Sequence, residues 1–255
     1  MITYDVAGRV ATIVIDDPER RNALSNAAMD ELRAAVERSA VDPDVGVVVL
    51  TGAGDRAFSA GGDLSGGFID APLTGHGARG SLAELLRAMQ MNPKPIIGRV
   101  NGVALGGGFG LAVACDITIS VDDARMGTPE IDLGLWPMMI SAVLIRSMPR
   151  KVLVDMMMTG RILTATEAHD LGLVTRVVSR DRLDDEVTTT AASLLARSPA
   201  ALALGKRSLA AMADLDFDSA LDVLHLGLTA TALTEDGAEG VAAFMDKRQP
   251  EWKGR

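Results

Sequence analysis

The stretch NGVALGGGFGLAVACDI, Asn101 to Ile117, places four glycines in five positions between two apolar runs, and its first charge is Asp116. A glycine inside a helix costs roughly 0.5–1 kcal/mol relative to alanine, so a chain that opens an apolar helix with such a run needs its bare backbone close to something. A helix amino terminus has the means to use that exposure, because its first N–H groups lack intrahelical partners and the helix dipole is positive there. A strand leading into the run and a buried helix leading out of it restrict the chain to a layered α/β architecture.

The surrounding sequence agrees. ITYDVAGRVATIVIDDP alternates about Gly8 and reads as a hairpin. Ser25 caps a helix from about Asn26 to Ala40 with Met29, Leu32 and Val36 on one face. DVGVVVLTGAG is a continuous apolar strand of the kind buried on both faces, SLAELLRAM a short helix, and PKPIIGRVNG another strand. Beyond about Arg180 the strands stop, and four helical segments follow: RLDDEVTTTAASLLARS, PAALALGKRSLAAM, FDSALDVLHLGLTATAL and EDGAEGVAAFMDKR. An all-helical carboxyl-terminal part suits packing on a neighbour or on another subunit.

Composition narrows the function classes. The net charge is −9 and aromatics are few, which argues against a nucleic-acid surface with its basic face and stacking rings. MITYDVAGRV has no basic segment ahead of an apolar run, and no stretch approaches the ~18 apolar residues of a membrane span, so a soluble, cytoplasmic chain with no membrane partner is expected. The single cysteine, Cys115, lies in an apolar run and reads as a buried thiol in a reducing compartment. His76, His169 and His225 match no ligand or triad spacing, and no metal site is visible.

Three stretches can carry chemistry. AFSAGGDL, Ala57 to Leu64, follows the Val45 to Thr51 strand, and Gly61 and Gly62 let its N–H groups face a cavity, although an ordinary glycine turn has the same composition. ALGGGFG offers N–H groups at a helix start. Its G-G-G-x-G spacing is not the dinucleotide fingerprint G-x-G-x-x-G. MGTPEIDLGLWP puts Glu130 among apolar neighbours, either as a surface residue at a helix start or as a desolvated carboxylate able to exchange protons near neutral pH.

In order and spacing, RRNALS, FSAGGDL, VNGVALGGGFGLAVACD, GTPEIDLGLWP, GRILTATEAHDLGLVTRVV and AFMDKRQPEWKGR resemble the crotonase, or enoyl-CoA hydratase/isomerase, family along essentially the whole chain. The resemblance implies a β-β-α superhelical core over residues 1–195 and a helical trimerisation region over 196–255, usually assembled as a dimer of trimers. It implies a coenzyme A thioester as substrate and no separate cofactor. It also implies that the N–H groups of Gly62 and Gly107 hold the thioester oxygen, with Glu130 as the acid/base. By the same carry-over, Arg21, Ala23, Ala60, Gly61, Asp63 and Leu64 form the coenzyme track and Lys247 supplies a cation to the nucleotide phosphates. Trp136, Met138 and Met139 are expected to floor an apolar acyl pocket.

One position departs from the family. The two-glutamate hydratases carry a second glutamate where this chain has Gly110, while Met138 stands where some relatives carry an aspartate. This leaves one-carboxylate chemistry: isomerisation of a 3-enoyl to a 2-enoyl thioester, or hydration with Glu130 alone. Glu84 is the nearest candidate for a replacement carboxylate, against its reading as part of a solvated helix face. A non-catalytic acyl-CoA binder is the alternative from another class.

Overall fold

The computed structural model describes residues 1–63 and 76–255. Strands β1 (Ile2–Ala7) and β2 (Val10–Ile15) pair antiparallel across Gly8 and Arg9, whose φ values of +56° and +66° are those of a two-residue hairpin turn. Helix α1 (Asn26–Val41) starts where the Ser25 hydroxyl accepts the Ala28 N–H at 3.1 Å, and it buries Met29, Leu32 and Val36. Strand β3 (Val47–Gly52) is buried at every position, as a central parallel strand must be.

From β3 onward a unit recurs. β3 is followed by β4 (Ala57–Ser59) and, later, by helices α2 (His76–Arg79) and α3 (Ser81–Met91). β5 (Ile96–Val100) is followed by β6 (Val103–Leu105) and α4 (Gly107–Ala114), and β7 (Ile117–Val121) by β8 (Arg125–Gly127) and then α5 (Met138–Leu144). The first strands of the units join one sheet and the second strands another. Helix α6 (Arg150–Thr159), β9 (Ile162–Thr164), α7 (Ala165–Asp170) and β10 (Arg176–Val178) complete the two sheets, which run β1-β2-β3-β5-β7-β10 and β4-β6-β8-β9. This is the β-β-α spiral. Its second strands are three residues each, too short for a period to register, which is why the sequence showed strands and helices but not the smaller sheet.

Four helices end the chain: α8 (Leu183–Leu195), α9 (Pro199–Met212), α10 (Phe217–Ala232) and α11 (Glu235–Asp246). α8 packs on β3, β5 and β7, whereas α9, α10 and α11 pack on one another. Cys115 is buried, its Sγ donates to the Leu111 carbonyl at 3.3 Å, and burial pushes its thiol pKa far up. Among the described residues no helix is long and apolar enough to cross a membrane.

Candidate active site

Two glycine-bearing loops meet at the carboxyl ends of β4 and β6. After β4 the chain runs beside residues 21–24: the Ala60 N–H donates to the Arg21 carbonyl (2.9 Å), the Leu24 N–H to the Gly61 carbonyl (2.8 Å) and the Asp63 N–H to the Leu24 carbonyl (2.9 Å). Successive peptide groups of an extended chain face opposite edges, so this pairing turns the intervening Gly62 N–H away from Leu24. The Gly62 nitrogen lies beside the start of α4, 3.9 Å from where a Cβ on Gly107 would stand.

Gly61 and Gly106 make that approach possible. Both have positive φ, +95° and +52°, and a Cβ on Gly61 would come 2.7 Å from the Leu105 carbonyl oxygen. Gly107 then begins α4 with no side-chain cap. Its N–H stands at the positive end of the helix dipole, where negative charge is favoured.

Two buried asparagines hold the strand that delivers Gly61 and Gly62. The Asn22 amide accepts the Asp17 N–H (3.0 Å) and donates to the carbonyls of Ala53 (3.0 Å) and Ala57 (2.7 Å). Asn101 donates to the carbonyls of Gly52 (2.9 Å), Gly54 (2.8 Å) and Ala57 (3.2 Å). The Ser59 hydroxyl accepts the Gly61 N–H at 3.2 Å. The sequence reading missed these three residues. Their only signal was a polar side chain set between apolar runs, which any turn would also give.

Glu130 stands across from the loops. It lies in a 3-10 helix, Pro129–Leu133, that begins with proline after β8 and ends at Gly134 in the left-handed conformation. A Cβ on Gly106 would lie 2.9 Å from Glu130 Oε1, so the carboxylate leans directly over the glycine that precedes Gly107. Its Oε2 is buried and has no hydrogen-bond partner among the described residues. Burial raises the Glu130 pKa, opposed only by a backbone hydrogen bond. A carboxylate with a bare buried oxygen, tuned upward, is suited to taking and returning a proton.

The other predicted residues are less concentrated. Arg21 is exposed in the left-handed conformation (φ +54°) and contributes its carbonyl to the Ala60 pairing, while Ala23 is half-buried beside it. Asp63 pairs with Arg20 at 2.9 Å, tying the 18–20 turn to the glycine loop, and Arg20 was not foreseen. Leu64 lies outside the described residues. Glu84 pairs with Arg87 on the exposed side of α3, whereas Leu82 on the other side lies against Gly107. Lys247 is exposed and ends α11, which packs on α9 and α10.

The expected apolar floor divides. Met138 and Met139 line a groove of about 1000 Å³ between α3, α4, α5 and α9, and neither Trp136, Glu130 nor the glycine loops form part of its wall. Trp136 packs half-buried against the core instead. The reason is helical phase: residues two apart on α5 point about 200° apart, so Met138 is 70% exposed and Ile140 is 2% exposed. Ile140, not Met138, is the α5 residue turned toward α4, where it packs on Gly110.

A sequence model of the family described as enoyl-CoA hydratase/isomerase matches residues 5–255 of this chain. The carnitinyl-CoA dehydratase of Proteus mirabilis (strain HI4320) is 36% identical over 254 residues, covering 97% of this chain and 96% of that one. The 2,3-dehydroadipyl-CoA hydratase of Escherichia coli (strain K12) is 36% identical over 249 residues, covering 97% and 96%. The crystal structure of an enoyl-CoA hydratase from Mycobacterium smegmatis matches with a TM-score of 0.94 at 33% identity, over 98% of both chains.

Proposed function

The chain belongs to the enoyl-CoA hydratase/isomerase family, and from that premise we propose that it moves a proton at the carbon next to a coenzyme A thioester, with Gly62 and Gly107 holding the thioester oxygen and Glu130 exchanging the proton. It is an enzyme of the hydratase/isomerase class in acyl-CoA metabolism. The observation that carries the proposal is the buried Glu130 oxygen, without a hydrogen-bond partner among the described residues, beside the glycine preceding Gly107. Removing a proton next to a thioester sends charge onto its oxygen. Two fixed N–H donors stabilise that charge, and each is worth ~10²- to 10³-fold in rate in such sites.

The coenzyme extends from this point along Arg21, Ala23, Ala60, Gly61, Asp63 and Leu64, and it arrives as part of the substrate, so no resident cofactor or metal is needed. Lys247 meets the nucleotide phosphates from a second copy of the chain, since α11, which it ends, packs on α9 and α10. A homo-oligomer, a trimer or a dimer of trimers, is the assembly this reading requires. Leu226, Leu228, Leu233 and Phe244 support it, since each is at least 70% exposed on the terminal helices of one chain. A cytoplasmic setting fits the single buried thiol.

A non-catalytic acyl-CoA binder would keep the glycine loops but gains nothing from a desolvated carboxylate whose oxygen accepts no hydrogen bond among the described residues, which costs free energy to bury. The deciding experiment offers trans-3-hexenoyl-CoA and trans-2-hexenoyl-CoA to the purified protein in deuterated water. Deuterium uptake into the acyl chain that disappears in Glu130→Gln supports proton transfer. Tight binding of both thioesters without deuterium uptake would leave the binder.

A further inference from the structure

We propose that Ile140 determines which product leaves this site: its side chain fills the volume a second polar group would use, and so directs the enzyme to double-bond migration instead of water addition. This rests on the proton-transfer reading above.

The glycines of the run are required for different reasons. Gly106 has positive φ, and a Cβ on Gly108 would collide with Ser59. Gly110 has neither a positive φ nor a backbone neighbour in the way. A Cβ there would overlap Ile140 Cγ2 outright and lie 2.7 Å from Ile140 Cβ. Position 110 is therefore glycine because Ile140 occupies the space. The two residues interlock, and Ile140 is 2% exposed with its neighbours Leu111 and Leu144 fully buried.

The interlock is next to the chemistry. Gly110 follows Gly107 by one helical turn on the same face of α4, about 4.5 Å along the axis. Its N–H donates to the Gly106 carbonyl at 3.0 Å, and Gly106 is the residue under the Glu130 carboxylate. Glu130 and Ile140 come from the same short stretch of chain, separated by Gly134 and Pro137. Ile140 thus packs on the helical turn that begins beneath the Glu130 carboxylate.

That pairing separates two reactions. In migration the Glu130 carboxylate takes a C2 proton from a 3-enoyl thioester; the C–H pair forms a dienolate whose charge rests on the thioester oxygen. The Glu130 carboxyl exchanges this proton with solvent and delivers a proton to C4, the C3=C4 bond becomes single and C2=C3 double, and nothing is consumed. Addition of water to a 2-enoyl thioester forms a C3–O bond and a C2–H bond, and the water must be held for attack by two or more polar partners. Glu130 is one partner. At position 110 the second is replaced by the methyl groups of Ile140.

The test measures a product ratio, which does not depend on the fraction of protein folded. With trans-3-hexenoyl-CoA and trans-2-hexenoyl-CoA as separate probes, the native enzyme is expected to give 2-hexenoyl-CoA with at most a minor share of 3-hydroxyhexanoyl-CoA. Ile140→Ala, which frees space beside Glu130, is expected to raise the hydrated share at least about tenfold, and the double variant Ile140→Ala with Gly110→Glu further. Ile140→Val removes one methyl and serves if the alanine variant does not fold; it is expected to raise the share about two- to threefold. A native enzyme that hydrates as fast as it isomerises, or a ratio unmoved in all variants, overturns the proposal. No deuterium uptake by the native enzyme overturns the proton-transfer reading and this inference with it, which distinguishes the two failures.

Discussion

The β-β-α core and the terminal helices are both rich in apolar residues, yet they dispose of them differently. In the core, Ile13, Ile15, Leu50, Ile97, Phe109 and Ile119 are all at most 1% exposed. In α9, α10 and α11 the buried residues are the alanines Ala200, Ala220 and Ala243 with the polar Asp236, while Phe217, Leu226, Leu228, Leu233 and Phe244 face outward. The core satisfies its own surface and holds the Gly61–Gly62 loop against the start of α4. The helical layer leaves an apolar face uncovered, which the chain by itself cannot bury. Chemistry should follow the core and assembly the helices, and variants of each region test whether that division holds.

The largest effect belongs to Glu130→Gln, which is expected to lower deuterium uptake at least about 10³-fold without changing the assembly mass. A fall in mass along with activity would break the division. Because burial raises the Glu130 pKa and the ionised form takes the proton, activity should fall with decreasing pH above the ordinary carboxylate range. For stability the sign reverses. A raised carboxyl binds its proton more tightly folded than unfolded, so ionising it as pH rises through the raised pKa weakens the fold. Glu130→Gln should therefore melt at a higher temperature than the native protein at neutral pH, measured by calorimetry.

Next is a pair of glycine variants in the core. Gly106→Ala forces a side chain onto φ +52° and 2.9 Å from Glu130 Oε1, and should cost about 10²-fold in deuterium uptake. Gly62→Ala is the sharper comparison, because its Cβ would meet nothing within 4 Å among the described residues and its φ is not positive. The fold should accept it within about 1 kcal/mol. What it intrudes on is the space beside the N–H, so a rise in KM with unchanged melting temperature is expected. A melting temperature that drops as far as that of Gly106→Ala would show the loop to be structural scaffolding.

On the helical side, Leu221→Asp combined with Leu228→Asp, seven residues apart and so on one face, puts two charges on the uncovered side of α10. If a second copy covers that face, the pair should weaken association by about 2–4 kcal/mol, and sedimentation should report a lower mass with an unchanged melting profile of the chain. A mass equal to that of the native protein would mean that the exposed leucines serve no subunit contact.

How much of this was legible in the sequence follows the same division. Ser25, the β1–β2 hairpin, the continuous strand read over Val45 to Thr51 and the four terminal helices were readable because each is a local signal: a cap, a turn, a period. Glu130, Gly62 and Gly107 could be named because motif order was retained along the chain, and the structure brings the three together. Asn22, Asn101 and Arg20 could not, since their partners lie far along the chain, 49 residues away for Asn101 and Gly52, and only the fold supplies them. Which of Met138 and Ile140 turns inward was not legible, because a run of apolar residues does not say which face of a seven-residue helix is buried.

Asp236 gives the smallest effect and the most direct challenge to the contrast between regions, because it is a well-ordered polar centre inside the loosely covered layer. Its carboxylate accepts the Ser198 hydroxyl (2.6 Å), the Lys253 N–H (2.6 Å) and the Gly254 N–H (3.0 Å), while its own N–H donates to the Arg255 carbonyl (3.2 Å). It therefore fastens the end of the chain to the start of α9. Trp252 adds a second fastening through its indole N–H to the Ala196 carbonyl (2.9 Å), with its ring 3.2 Å from where a Cβ on Gly240 would lie. Burial alone would raise the Asp236 pKa, but the hydrogen bonds from Ser198, Lys253, Gly254 and Ala200 outweigh it and hold it below the ordinary value. A lowered carboxyl contributes stability that is present above the unfolded value of about 4 and is lost as pH falls through the folded one. Asp236→Asn should cost about 1–2 kcal/mol at neutral pH and flatten that acid dependence, with amide exchange quickening in α9 and α11. Protection lost equally in β3 and β5 would mean that the layer and the core unfold as one unit, and the contrast between them would then be one of surface alone.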